Sequence, residues 1–555
     1  MKTGKSAHLV LVAALGSLAL LAACAQPAPT SVPATTAPVV NRAAPAATTA
    51  PVAKGPTGTL TIALSMVSDE TFLPWNGQTM RNAYLDPIYE FLIYLDPKTL
   101  TPKPGLALKW DMSPDGKTWT FYLRQGVQFQ EGWGELTSED VKYTVERMLD
   151  PKSTMSGAAQ LRSEIASIDA PDKYKVVFNL KAPDVDFATG IMSDTNQIVI
   201  ASKKYVESVG DAKANAHPIG TGPYTLAEEH QQGGPIKLKA VPGSENHWRV
   251  SPAFQYITFL IVPEEATRVA MLKSGAVDLA PISYDSVDSI KAVAGLHIAS
   301  IPFSWAPVIR FGGLIEGDPV RYKPDNPWAK VEVRQALNYA VDKEAIVKNI
   351  FHGEGTIVGA DTPYPEWLDI PGYPYDVAKA KQLLASAGYP NGFPITVKSY
   401  TVQPGAELPT IAEAVAMYWK AIGVDVTIDP TDYGAVSADW TGGKGKADGY
   451  AFVHRGMSFA SPLMGLFITN DVKSNFATYQ DKSTDAKLAA IRSQFDLSKR
   501  SALIKDLGQY LRDQAVYVFI AFANEPYGAS NKVGNWPTPS VRPQAIEYIT
   551  PLTQQ

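Results

Sequence analysis

The stretch from Tyr89 to Asp150 reads YEFLIYLDPKTLTPKPGLALKWDMSPDGKTWTFYLRQGVQFQEGWGELTSEDVKYTVERMLD. An apolar run, Phe91-Leu92-Ile93-Tyr94-Leu95, opens it. A Pro/Gly-rich turn and Leu106-Ala107-Leu108-Lys109-Trp110 follow. Ser113-Pro114-Asp115-Gly116-Lys117 predicts a tight turn, because Pro presets φ and Gly accepts a positive one. From Thr118 to Arg124 the large side chains Trp119, Phe121 and Leu123 alternate with Thr118, Thr120 and Tyr122. That is a strand with one buried face. Thr137-Ser138-Glu139-Asp140 predicts a helix start, a hydroxyl cap with acids in the first turn. Val141, Val145 and Met148 then share one side of that helix. Periodicity thus predicts a hairpin followed by a helix, with Trp110 and Trp119 in the hairpin core.

The order of particular residues carries more. Leu92, Asp96, Pro104, Leu106-Ala107, Trp110, Asp115-Gly116, Phe121, Leu123-Arg124, Gly126-Val127, Phe129, Gly132, Leu136-Thr137, Asp140-Val141 and Arg147 fall in one register. In that register the stretch resembles the signature of the family 5 extracellular solute-binding proteins, the oligopeptide-, dipeptide- and nickel-binding receptors of bacterial ABC importers. Trp133-Gly134-Glu135 departs from it, standing where the family has a shorter Gly-x-Pro turn.

Outward from this stretch, length is the first bound. The chain has 555 residues, too many for one core, and predicts two or more lobes. Its hydrophobic fraction of 45% is ordinary for a globular protein, and with a net charge of −5 and no long basic run nucleic acid is not an expected partner. Lys2 and Lys5 precede an apolar, Leu/Ala-rich run from His8 to Ala23. The run ends in Leu21-Ala22-Ala23-Cys24, and Cys24 is the only cysteine. The run is shorter than the ~20 residues a spanning helix needs. It reads as a lipoprotein signal peptide, residues 1–23, with Cys24 the lipidated first residue of the mature chain; a plain signal peptide or short anchor is the alternative. A lone cysteine allows no internal disulfide. Residues 24–58, rich in Pro, Ala and Thr, predict a disordered tether. At ~3.3 Å per residue it reaches on the order of 100 Å.

The folded part is predicted from Thr59, with Leu60–Leu64 the first strand. Tyr174–Leu180 predicts another. Val333, Ala336, Leu337, Ala340 and Val341 predict the buried face of a helix. Asp376–Tyr389 predicts a helix with an Asp cap and Gly388 as its stop. Strands Ile395–Lys398 and Val424–Ile428 flank a helix, Ile411–Ile422, and Ala515–Ile520 predicts the last strong strand. Short loops between alternating elements predict an α/β lobe.

The resemblance extends from about Thr59 to Val533. It includes Pro218-Ile219-Gly220-Thr221-Gly222-Pro223-Tyr224, whose glycines read as turn residues. It implies an α/β, two-lobed periplasmic-binding-protein-like fold of type II, with an extra α+β subdomain inserted in lobe one. Lobe one is then residues 59–302, with the insert at about 95–205. Lobe two is 303–518, and 519–555 return to lobe one. It implies a solute, peptide or oligosaccharide, bound between the lobes and delivered to an ABC permease and ATPase complex. The protein would be a monomer outside the cytoplasm, held to the cell membrane by its lipid alone.

In peptide-binding relatives an Asp-Pro in lobe two supplies the acid that pairs with the peptide amine. Here Ser461-Pro462 stands in its place, and His454 and Arg455 lie nearby. The resemblance implies ligand-binding roles for Trp75, Asn76, Trp133, Trp305, Arg310, Trp440, Phe452, His454, Arg455 and Met457. Read for itself, each single Trp is core packing, and Arg455 is a solvated charge. Gly312-Gly313 reads as a close approach of ligand to backbone. Seven His stand in no metal-ligand spacing, and no phosphate loop, dinucleotide fingerprint or nucleophile elbow occurs. No cofactor, metal or catalytic residue is expected. Two other readings stay open: a ligand-binding surface sensor or chaperone-like lipoprotein, and a secreted hydrolase.

Overall fold

The computed structural model describes residues 55–67, 70–77, 81–96, 101–155, 157–194, 198–362, 364–401, 405–436, 451–457, 477–537 and 545–552, and of 452 and 455–457 the backbone alone. Cys24, the tether, Trp440 and Ser461-Pro462 lie outside the described residues. No helix among the described residues is long and apolar enough to cross a membrane.

The elements used below, in chain order, are strand β1 (Thr59–Leu64), β2 (Ala107–Met112), β3 (Thr118–Leu123), helix α1 (Ser138–Leu149), β4 (Ile165–Asp172), β5 (Lys175–Leu180), β6 (Tyr224–Leu226), β7 (Ile236–Ala240), β8 (Tyr256–Ile261), α2 (Glu265–Ser274) and β9 (Leu279–Pro281). Then come β10 (Leu296–Phe311), α3 (Val331–Tyr339), α4 (Val377–Ser386), β11 (Pro394–Ser399), α5 (Leu408–Lys420), β12 (Asp425–Pro430), β13 (Ala451–Met457), α6 (Leu497–Asp513), β14 (Tyr517–Phe519) and β15 (Phe522–Ser530).

The opening stretch folds as its alternation predicts. Trp119, Phe121 and Leu123 point inward from β3, while their neighbours are half-buried. Asp140 accepts hydrogen bonds from Thr137 N at 2.8 Å and Thr137 Oγ1 at 2.9 Å, closing the start of α1. Val141, Val145 and Met148 are fully buried. The strands pair in the order β2-β3-β5-β4, a four-stranded sheet packed against α1 and built into the first lobe. Trp119 is buried in this core and Trp110 packs at its edge.

One long sheet links the lobes, in the order β6-β7-β8-β1-β9-β15-β10-β13-β11-β12. β1 runs parallel to β8 and β9, and β11 runs parallel to β12 and β13. Two buried cores flank the middle of this sheet. One gathers β1, the inserted subdomain and β6–β8; the other gathers α3–α6 and β11–β14. In the second, Val333, Ala336, Leu337, Ala340 and Val341 are all buried, and Asp376 caps α4 through Lys379 N at 2.8 Å.

β10 and β15 cross between the lobes. The first half of β10 pairs with β15 and its second half with β13. Ile301 pairs with Glu525 and Trp305 with Ala523, so β10 carries a two-residue bulge there. Phe303, at its centre, has a φ of 53°, which a bulky side chain rarely adopts. Crowding by Phe522, at 5.6 Å between rings, and a hydrogen bond from Phe303 N to Asn524 Oδ1 at 3.2 Å hold it there.

Two glycine expectations change. Gly220 and Gly222 are bare because a Cβ would stand 2.0 Å from Ile88 O and 2.4 Å from Pro87 O. Backbone crowding, rather than a left-handed turn, requires them. Gly312-Gly313 serves the chain itself: Gly312 O accepts from Trp328 Nε1 at 2.9 Å, and a Cβ on Gly313 would meet Lys323 Cβ at 2.9 Å.

Candidate functional site at the lobe crossover

In sheets with parallel strands, ligands sit beyond the carboxyl ends of those strands. Here those ends are the segments after β1, β8 and β9 in one lobe and after β11 and β13 in the other. The crossing strands β10 and β15 run between them. β9 ends at Pro281 and delivers Ser283 and Tyr284. β11 ends at Ser399 and leads through Gly405 to Glu407, just before α5.

These segments make a connected polar cluster. Trp305 Nε1 donates to Tyr284 Oη at 3.2 Å, and that hydroxyl donates to Asn524 O at 2.7 Å. Phe351 stands edge-on to both rings, 5.0 Å from Tyr284 and 5.7 Å from Trp305. The far edge of Trp305 reaches the β11–α5 loop at Gly405. Ser304 Oγ donates to Glu525 Oε2 at 3.1 Å, and Ser300 Oγ to Glu354 Oε2 at 2.8 Å.

The cluster is acidic. Burial pushes the Glu525 carboxyl up, and the Ser304 hydrogen bond only partly offsets this. Burial also raises Glu407, and the carboxylates of Asp285 and Glu265 add to the effect. Tyr284 is raised first by burial, against the Trp305 hydrogen bond, and then by the charges of Glu407, Glu525 and Glu354. Burial would lift Glu265 too, but hydrogen bonds from Ser283 N, Ser286 and the Ser283 hydroxyl hold it below its ordinary range. Glu354 has Lys291 at 3.8 Å. Among the described residues, neither Glu407 nor Glu525 has a cation in ion-pair range. Both remain half-buried rather than sealed. Two carboxylates in a dense, part-solvated setting favour a cationic group brought by a ligand.

The sequence candidates divide around this cluster. Trp305 belongs to it. His454 lies on β13, buried, with Nδ1 2.7 Å from the Tyr400 hydroxyl at the end of β11. The backbones of Phe452, Arg455 and Met457 pair with Arg310, Pro307 and Trp305; their side chains are outside the described residues, as is Trp440. The other candidates do not join the cluster. Arg310 is buried against Asp361, 3.4 Å away, with Tyr517 beneath its guanidinium at 4.9 Å. Trp75 packs edge-on against Tyr143 of α1, with Arg147 over its ring at 4.2 Å and Asn76 next to it at the core's rim. Trp133 packs on Tyr205 beside a groove of about 610 Å³ that Glu135, Glu139 and Lys203 also line. Glu407 and Glu525 were not among the candidates.

Two α/β lobes joined by crossing strands, with aromatic and acidic side chains at the crossover, define a ligand-capturing binding protein. Among the described residues no group of three or more His, Cys, Asp or Glu is placed to hold a metal ion. The profile of the bacterial extracellular solute-binding proteins, family 5, matches residues 101–470, and the chain belongs to that family. The heme-binding protein A of Haemophilus influenzae is 29% identical over 491 residues, covering 80% of this chain and 83% of that protein. The dipeptide-binding protein of Escherichia coli is 29% identical over 503 residues, covering 82% and 87%. The solved structure of HbpA2 from Haemophilus parasuis superposes with a TM-score of 0.73 at 24% identity, covering 88% of this chain and 98% of that one.

Proposed function

We propose that this protein captures a short peptide, or a peptide-like solute with a protonated amine, between its lobes and delivers it to an ABC permease. Glu407 and Glu525, which among the described residues have no cation partner and whose charges act on Tyr284, carry this reading. They would take the place of the acid missing at Ser461-Pro462. An ammonium leaving water needs such a partner, and two half-buried carboxylates relieve their own repulsion by accepting it. Trp305, Tyr284 and Phe351 offer flat apolar surface to the adjoining side chain. The similarity to a dipeptide-binding protein supports the same class.

Capture would proceed by closure. Binding at the crossover stabilises the closed arrangement by the solute's differential affinity for it, and the permease would read that arrangement. Lobe one would end and lobe two begin within the bulge at Ile301–Trp305. Lipidation of Cys24 would hold the protein at the outer face of the cell membrane as a monomer.

The test is a thermal-shift screen of the mature chain against di- to tetrapeptides, oligosaccharides and peptides with acetylated amines. A bound peptide at 100 times its dissociation constant adds about 2.7 kcal/mol of stability. Shifts with free-amine peptides only are expected. Shifts with oligosaccharides only would overturn the peptide reading. No shift with any class would favour a surface sensor or chaperone-like lipoprotein.

A further inference from the structure

Apart from the crossover, the inserted subdomain touches the second lobe through a buried plug. The segment Pro183-Asp184-Val185-Asp186 follows β5 of the inserted sheet. Its neighbours Phe187 and Ala188 belong to the first lobe's core, yet Val185 is buried in the second lobe's core. Asp186 forms an ion pair with Arg500 of α6, Oδ1 to Nη2 at 3.1 Å; the two residues are only 4% and 7% exposed. The plug is anchored on its own side by Trp119 Nε1, which donates to Asp184 O at 2.8 Å. Beside it, Gly116 in the β2–β3 turn approaches the Phe495 ring so closely that a Cβ would stand 2.6 Å from it. Met112 packs against both cores.

Among the described residues the chain crosses between the lobes near Ile301–Trp305 and Phe519–Ala523. Any rotation about those strands separates the plug from α6, because a contact of hydrogen-bond length tolerates little displacement. The contact therefore belongs to one lobe arrangement. Its chemistry also suits release. Among the described residues Arg500 Nη1 is buried without a hydrogen-bond partner, so the contact leaves one donor unsatisfied that water would satisfy once the two sides part. A buried ion pair gains little over its desolvation, but removing one partner strands a charge.

We propose that Pro183–Asp186 and Arg500 form a latch between the inserted subdomain and the second lobe, made in the closed arrangement and broken in the open one. The inserted subdomain then takes part in closure. Asp186 and Arg500 set the ratio of closed to open protein, and through it the apparent affinity for every solute. They do so without touching the solute.

The experiment reads lobe geometry with no solute present. Spin labels at Ala166→Cys and Gln382→Cys, both exposed, are placed in a full-length Cys24→Ser chain and their distance distribution is measured by pulsed EPR. Asp186→Asn and Arg500→Gln are each expected to shift the distribution to longer distances, lowering the closed-to-open ratio about tenfold. The double variant is expected to lose less than the two single losses combined, because no lone charge remains buried. If either charge variant fails to fold, Val185→Ala thins the plug with no charge change and carries the same direction. Identical distributions in folded variants would overturn the latch, as would a double variant that simply adds the two single effects. Neither outcome depends on the identity of the solute, so either leaves the peptide reading standing.

Discussion

Replacing Glu525 by Gln separates binding from stability. Gln keeps an oxygen for the Ser304 hydroxyl, which now donates to Glu525 Oε2 at 3.1 Å, and removes the charge. An ammonium held ~4 Å from the carboxylate at an effective dielectric of ~20 interacts by ~4 kcal/mol. Glu407 remains nearby and the site is part-solvated, so about 1.5–3 kcal/mol of that is expected to be lost, weakening free-amine peptides about 10- to 150-fold. The empty protein should move the other way. Burial raises the Glu525 carboxyl, so the folded state disfavours its charge. Such a group contributes stability below its unfolded pKa and loses it as pH rises through its folded value. Glu525→Gln should therefore raise the melting temperature of the empty protein by about 1–3 °C at neutral pH, with no gain at pH 4. Calorimetric titration with a free-amine dipeptide and scanning calorimetry of the empty protein measure both halves. Unchanged affinity together with a lower melting temperature would refute the reasoning, because it would make Glu525 a structural group.

Three further outcomes follow from other parts of the molecule. Arg249→Met leaves Glu90 and Glu547 buried together without the guanidinium that now sits 2.8 Å and 2.9 Å from them; urea unfolding should show a loss of about 3–5 kcal/mol, and a loss below about 1 kcal/mol would contradict the ion network. Lys343 is buried against Asn338 O and Tyr373 O, and burial pushes its amine down to about 7. The unfolded chain holds that proton up to about pH 10.5, so stability rises between pH 7 and 10.5, and Lys343→Met should flatten the rise in pH-dependent unfolding curves. Gly392→Ala puts a Cβ 1.8 Å from Gly423 O at a φ of 76°, and chemical denaturation should show more than about 2 kcal/mol lost.

Much of the fold was legible because alternation and helical spacing report burial directly. Trp119, Phe121 and Leu123 had to face one way, and they do. The buried stripe of α3 was readable for the same reason. The crossover was not readable in detail. Its bulge turns on Phe303, and a bulky residue gives no sign of a positive φ. Arg310 sits five residues beyond Trp305 on the same strand, and nearness in sequence suggested a shared site. Packing in the second lobe instead gives Arg310 to Asp361. The acidic cluster was hidden for another reason. Tyr284, Glu407 and Glu525 come from three distant segments, and among 55 acids none carries a local pattern that marks it. Only the folded chain brings them together. Gly220 and Gly222 read as turn residues, but the reason they are bare lies in the backbone of Pro87 and Ile88, more than a hundred residues away.

The most direct measurement of the central claim is isothermal calorimetry of the mature chain with one dipeptide in two forms, free and acetylated at its amine. The amine is the group that Glu407 and Glu525 are proposed to hold. Binding of the free form, weakened at least 100-fold by acetylation, is the predicted result. Equal binding of both forms would contradict the claim and return the acidic cluster to a purely structural role.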